Sequence, residues 1–217
     1  MKDTKYILLI MNCLRYQNKA NLQKDIWLSK LYSIPYYHVL GNPNLNKQYM
    51  FDEKHKKLYV KTDDDYNSLP NKVIAAYQAV VEYYPQLQYI LKTDDDQVLQ
   101  FKHPDTFFDK IVDMLEKNTN EQQIHYAGHI VNITTPYKSE YYRIHDELPK
   151  NLILDATKYC SGRFYILSKD AIINLLKKRH YIEKEYLEDY AIGRYLDDKF
   201  KQNIKQLASN VFFKDLE

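Results

Sequence analysis

Between Lys57 and Lys92 the chain spells a strand, a helix and a strand in direct succession, and this order constrains the fold more than any other feature. KLYVK (Lys57–Lys61) and LQYILK (Leu87–Lys92) are short apolar runs of the kind buried strands use. Between them Leu69, Val73, Tyr77, Val80, Val81 and Tyr84 recur at helical spacing and form one apolar stripe. Ser68 stands where a cap is expected, Pro70 falls in the first turn where a missing N–H is harmless, and Pro85 ends the pattern. Strands joined through a helix run parallel, with the helix packed on one sheet face.

The same alternation extends in both directions. Lys5–Cys13 and Ile34–Leu40 read as strands, separated by a helix over Asn21–Leu31 with Leu22, Ile26 and Leu31 on its inner side. GNPNLNK after the second strand is a loop of turn formers. Pro104–Glu116 reads as a helix with Phe107, Phe108, Ile111, Val112 and Leu115 inward. The second half is less regular: strands over Ile124–Ile133 and Lys158–Leu167, helices over Lys169–Arg179 and Leu187–Asp197. A βαβ series of this kind predicts one α/β domain over residues 1–217, with a mostly parallel central sheet and helices on both faces.

Composition matters mainly for what it excludes. The four glycines, Gly41, Gly128, Gly162 and Gly193, are too dispersed for a dinucleotide fingerprint or a phosphate-cradling P-loop. G-x-S-x-G, H-E-x-x-H and C-x-x-C are absent, and the seven histidines have no zinc-ligand spacing. A net charge of +2 gives no sign of a dedicated nucleic-acid face. With two cysteines and no apolar run of about 20 residues, the expected protein is soluble, in the cytoplasm or another reducing intracellular compartment, without a membrane span.

The pentapeptide KTDDD occurs twice, at Lys61–Asp65 and Lys92–Asp96. The first run precedes a helix start, whose partial positive charge offsets clustered carboxylates, so a structural role accounts for it. The second follows a buried strand, and the C-terminal ends of strands in an open α/β sheet border the crevice where ligands bind. Alternate aspartates there can hold Mg²⁺ or Mn²⁺; an exposed acidic turn is equally compatible with this stretch alone. Lys24 and Lys92 are candidates to steady phosphate, Cys160 reads as a small buried hydrophobe, and Tyr141-Tyr142-Arg143 offers aromatic surface for a sugar ring.

Four segments, in order, resemble the β-1,3-glycosyltransferase superfamily of β-1,3-galactosyltransferases, β-1,3-N-acetylglucosaminyltransferases and Fringe proteins (glycosyltransferase family 31). Asp64-x-Tyr66-x-Ser68-Leu69-x-x-Lys72 resembles its D-x-Y-x-N-L-x-x-K, and LKTDDDQVL its K-x-D-D-D-V-F. Tyr159-Cys160-Ser161-Gly162, with Tyr165-Ile166-Leu167-Ser168, resembles Y-C-S-G-G-G-Y-V-L-S, and Glu188–Gly193 its E-D-V-Y-V-G. Lys24–Trp27 and Tyr126-Ala127-Gly128 are weaker matches to an R-x-T-W and a Y-x-G segment.

The resemblance implies a GT-A, Rossmann-like nucleotide-sugar-binding fold and inverting transfer from a UDP-sugar to the hydroxyl of a glycan, glycoprotein or other acceptor, with a β-1,3 linkage. It implies Mn²⁺ or Mg²⁺ on Asp96 and Asp94, Asp95 toward the ribose or uracil, and Asp189 as base with Glu188 orienting its surroundings. Lys24, Lys92 and the Cys160-Ser161-Gly162-Arg163 segment are implied to border the donor. There are departures. Arg163 and Phe164 replace paired glycines and are expected to narrow the pocket or to place a cation near the donor or acceptor; Lys24 replaces an arginine. No histidine follows His180 to join the metal, leaving Asn210, water or the nucleotide's own phosphate oxygens for that position, and the family's usual N-terminal membrane anchor is not expected here. A non-catalytic nucleotide-sugar or carbohydrate binding module is the alternative from another class, and a metal-dependent phosphohydrolase a third.

Overall fold

The computed structural model describes residues 4–117 and 123–216. In chain order it contains β1 (Tyr6–Met11), α1 (Gln17–Ile26), β2 (Tyr36–Gly41), β3 (Tyr49–Asp52), β4 (Lys57–Val60), α2 (Leu69–Tyr83), β5 (Tyr89–Asp94), β6 (Gln97–Leu99) and α3 (Pro104–Lys117). There follow β7 (Tyr126–Ile133), β8 (Tyr137–Lys138), β9 (Ile153–Leu154), β10 (Thr157–Ser168), α4 (Lys169–Leu176), α5 (Arg179–Ile182), α6 (Glu188–Tyr195), α7 (Asp198–Lys201), β11 (Lys205–Gln206), α8 (Ser209–Phe212) and β12 (Phe213–Asp215).

Among the described residues the main sheet has eight strands in the order β11-β7-β10-β5-β1-β2-β4-β3. Its centre, β5-β1-β2-β4, is parallel throughout; β10 and β3 run against their neighbours. All of β1 is buried because helices cover both its faces, which is why YILLIM has no polar alternation. On one face β1, β2 and β5 pack with α2, α4 and α6 through Ile7, Leu9, Val73, Tyr77 and Ile172. On the other, Leu8, Ile10 and Leu91 meet Trp27 and the Phe107, Phe108 and Ile111 stripe of α3. No helix among the described residues is long and apolar enough to cross a membrane.

Three local readings are corrected. α1 starts at Gln17 and ends at Ile26, and buries Ala20 and Gln23 while Leu22 and Ile26 stay exposed. The cause is tertiary: the Gln23 amide donates to the Asp94 and Gln97 carbonyls and turns that face inward. Ser68 makes no capping bond; its N–H and hydroxyl are both donated to Asp65. Tyr49–Asp52, given no element in the sequence reading, forms an antiparallel hairpin with β4 whose turn holds Lys56 in the left-handed region at φ 55°.

Candidate active site

The C-terminal ends of β1, β4 and β5 open on a cleft of about 490 Å³. Both acidic runs reach it, Asp64 and Asp65 from one side and Asp94, Asp95 and Asp96 from the other. Asp64 is held by the Lys72 ammonium at 2.6 Å and by the Leu14 and Gly41 N–H groups at 2.7 Å each. Lys72, itself buried, also donates to the Asn12 carbonyl. Asn12 in turn donates to Asp95 at 2.6 Å, and the Asp95 N–H continues the β1 edge at the Met11 carbonyl. Burial raises the Asp95 pKa to about 6 against the opposing Asn12 bond and Lys19 charge. Arg15 and Lys19 add cationic groups to the rim, and Tyr66 stacks on His145 at 4.2 Å across it.

Beside the cleft lies a denser cluster. Lys92 is 1 % exposed and its ammonium sits 2.7 Å from Asp94 and 2.9 Å from Glu188, with a further bond to the Gly162 carbonyl. Burial works against that charge, but the two carboxylates outweigh it and hold the Lys92 pKa above its ordinary value. The Tyr165 hydroxyl donates to the second Glu188 oxygen and bonds to Tyr77, so Glu188 is fixed on both sides. Asp189, the next residue of α6, accepts from the Gly162 N–H at 2.9 Å and from its neighbour Tyr190 at 2.8 Å. A register shift in β10 between Cys160 and Tyr165 frees that Gly162 N–H from the ladder. α6 lies so close to β10 that a β-carbon on Gly193 would fall 2.2 Å from that of Tyr159. Asp94, Lys92 and Asp189 all come within 3.5 Å of where a β-carbon on Gly162 would sit. Burial raises the pKa of Asp189 and of Glu188, with Lys92 opposing in both cases.

The sequence model described as galactosyltransferase matches residues 18–207. The chain belongs to this galactosyltransferase family. Among curated relatives, the human UDP-GalNAc:beta-1,3-N-acetylgalactosaminyltransferase 1 is 27% identical over 151 residues, covering 69% of this chain and 43% of that protein. Mouse beta-1,3-galactosyltransferase 1 is 25% identical over 134 residues, covering 60% and 38%. The chain thus spans less than half the length of these relatives. A solved glycosyltransferase involved in glycosylating the major capsid of PBCV-1 superposes with a TM-score of 0.54 at 13% identity, over 94% of this chain and 81% of that one. A 4-diphosphocytidyl-2C-methyl-D-erythritol synthase from Anaerococcus prevotii DSM 20548 gives 0.51 at 13%, over 96% and 89%. The architecture is the GT-A α/β fold.

Within this galactosyltransferase-family framework the residues singled out from sequence separate into two groups. Asp94, Glu188, Asp189 and Gly162 meet at one point beside the cleft, and Asp95 and Asp96 line the cleft itself. The others do not line the cleft. Lys24 donates to the His55 carbonyl and does not line the cleft. Lys92 is buried against carboxylates instead of facing a phosphate. Cys160 is buried and its N–H is donated to the Tyr126 hydroxyl. Ser161 is half-buried on β10, and Asn210 is exposed on α8; neither lines the cleft.

The expected narrowing by Arg163 and Phe164 does not occur. Phe164 stacks on Phe213 at 4.8 Å, and Arg163 reaches the Phe213 carbonyl and Asp215. Both bulky groups grip β12, which pairs with β6 beside Asp96. Asn12, Arg15, Lys19 and His145 were invisible to motif reading, since each enters the cleft from a segment of ordinary composition. Lys72 and Asp64 carried a signal, the D-x-Y segment, whose meaning is the ion pair between them.

Proposed function

We propose that this chain transfers a sugar from a UDP-sugar to an acceptor hydroxyl with inversion, forming a β-1,3 linkage. The observation that carries the reading is the Lys92 bridge: one buried ammonium ties Asp94, at the rim of the cleft, to Glu188, whose neighbour Asp189 is presented on the Gly162 N–H. Family membership supports the sugar-transfer class, and the family's relatives named for UDP-GalNAc and galactose support a hexose or N-acetylhexosamine donor.

In this reading the cleft takes the UDP moiety, with Arg15 and Lys19 facing its phosphates and the Asn12–Asp95 pair its nucleoside side. The oxygen-only donor set of Asp94 and Asp96 fits a hard divalent cation, and among the described residues no cluster of three His, Cys, Asp or Glu encloses one. Asp96 and Asp94 would hold Mn²⁺ or Mg²⁺, which supplies positive charge against the departing diphosphate. Asp189 takes the proton of the acceptor hydroxyl while the acceptor oxygen bonds to the anomeric carbon from the face opposite UDP, whose bond to that carbon breaks. The two N–H groups on Asp189 aim the carboxylate, and its raised pKa makes it a better base than a solvated aspartate. Glu188 and Lys92 position without touching the reacting atoms.

The test is UDP release from UDP-galactose, UDP-N-acetylgalactosamine and UDP-N-acetylglucosamine with Mn²⁺ and a panel of glycan acceptors. Asp189→Asn is expected to lower kcat by about 10²–10⁴ while UDP still binds. Equal turnover in Asp189→Asn would overturn the base assignment, and UDP binding without any turnover in the wild type would leave a binding module in its place.

A further inference from the structure

A second groove, of about 590 Å³, is lined by Tyr137, Lys138, Ser139, Glu140, Tyr141, Arg143 and Ile144. It belongs to the segment between β7 and β10, which the transferase chemistry above uses only at its edge. Three of its apolar groups face outward: Tyr137 is 43% exposed, Tyr141 42% and Ile144 76%. The platform under them is firm. β8 pairs with β9, and Leu148 and Leu154 are buried against Tyr159, Leu187 and Tyr190.

That anchoring ties the groove to the candidate base. Leu187 and Tyr190 flank Glu188 and Asp189 in sequence, and the Tyr190 hydroxyl accepts from the Asp155 N–H just past β9. The same segment borders the cleft through His145 and Glu147, with His145 stacked on Tyr66. Its exposed tyrosines therefore lie on the same segment that borders the cleft at His145 and Glu147. Burial raises the Tyr141 pKa, and the Asp189 charge is the next cause, so the two groups share one electrostatic neighbourhood.

We propose that this groove is the acceptor subsite and takes a neutral oligosaccharide, one pyranose ring stacking its C–H face on Tyr141 and the next on Tyr137. Aromatic faces carry partial negative charge and pair with the polarised C–H bonds of a sugar face, while the surrounding polar groups take its hydroxyls. The lining charge argues for a neutral ligand: Glu140 and Arg143 pair with one another at 2.9 Å, and Lys138 is the one other charged lining group, too little for a polyanion-binding row. The acceptor role rests on the transferase reading; glycan binding itself is measured separately.

Saturation-transfer NMR with lactose, N-acetyllactosamine and chitobiose, each at about 10 mM, tests it on the whole chain. Transfer to the ring C–H protons of at least one disaccharide is expected, persisting with UDP saturating the cleft. Tyr141→Ala and Tyr137→Ala, at exposed positions that leave the melting temperature essentially unchanged, are expected to weaken binding by about tenfold. Tyr141→Phe should retain it. With an active donor, Tyr141→Ala should raise acceptor KM by a similar factor more than it lowers kcat. No transfer in the wild type, transfer unaltered by both alanine variants, or transfer abolished by UDP would each overturn the proposal. Tyrosine-dependent glycan binding without turnover of any UDP-sugar would keep the subsite and overturn the catalytic reading instead.

Discussion

Lys61–Asp65 and Lys92–Asp96 are the same five residues, and both border one cleft, yet the fold uses them in opposite ways. Lys61 is exposed while Lys92 is sealed between Asp94 and Glu188. In the first run Asp64 is saturated by Lys72 and two backbone N–H groups, and Asp65 is taken up by Ser68. In the second, Asp96 is half-buried and, among the described residues, its carboxylate accepts a side-chain hydrogen bond from the Gln97 amide alone. Identical letters thus give a brace in one place and, in the other, the carboxylates to which the proposed function assigns a cation. What differs is the cation each run is given and where the backbone leaves it.

The sharpest contrast is between the lysines. Lys92→Met is expected to destabilise the chain by about 3–5 kcal/mol, since it leaves the buried Glu188 carboxylate and the half-buried Asp94 without their cation, whereas Lys61→Met should change stability by less than about 0.5 kcal/mol. Urea unfolding of both variants checks this; equal effects would erase the distinction. Next come the aspartates. Asp96→Ala should lower Mn²⁺-dependent kcat/KM by about 10²–10³-fold with little change in melting temperature. Asp63→Ala, at an exposed position, should leave both near wild type. Asp64→Ala should act in the reverse sense, costing about 2 kcal/mol of stability by leaving Lys72 unpaired and affecting turnover less than Asp96→Ala does. A turnover loss in Asp64→Ala as large as in Asp96→Ala would merge the two runs into one site.

The smallest effect concerns what lies under the second run. Gln23, which carries the Asp94 and Gln97 carbonyls, is itself bonded to the wholly buried His38. Burial lowers the His38 pKa to about 3, with the Lys24 and Lys57 charges adding to it. The unfolded chain takes up that proton at its ordinary value of 6.5, so stability is full above it and declines as pH falls from there toward 3. Between neutral pH and about pH 5.5 the wild type is expected to lose about 1 kcal/mol relative to His38→Leu, because the carboxylates raised by burial, Asp95 among them, gain stability over the same range in both chains. Denaturant midpoints at the two pH values read the difference.

Much of this was legible in the residues. The buried strands and α2 announce themselves because apolar runs and a helical stripe have few other solutions, and the two carboxylate motifs sit where a parallel sheet ends. The inner face of α1 was not legible, because Gln23 is buried for its bonds to a turn far along the chain. Nor was the shared cleft: nothing local says that Asp64 will be drawn to Leu14 and Gly41. Arg163 and Phe164 looked like obstacles only because their partners, Asp215 and Phe213, come from the far end of the sequence. Pairings across such distances belong to topology, and periodicity cannot report them.

A single ammonium shared by Asp94 and Glu188 makes the two carboxylates electrostatically interdependent, and in the proposed reading it couples the donor side of the chemistry to the acceptor side. Neutralising Glu188 would hand the whole of that charge to Asp94, and neutralising Asp94 would hand it to the helix that bears Asp189. Any laboratory evolution toward a new sugar that touches one of these positions should therefore accumulate compensating changes at the other.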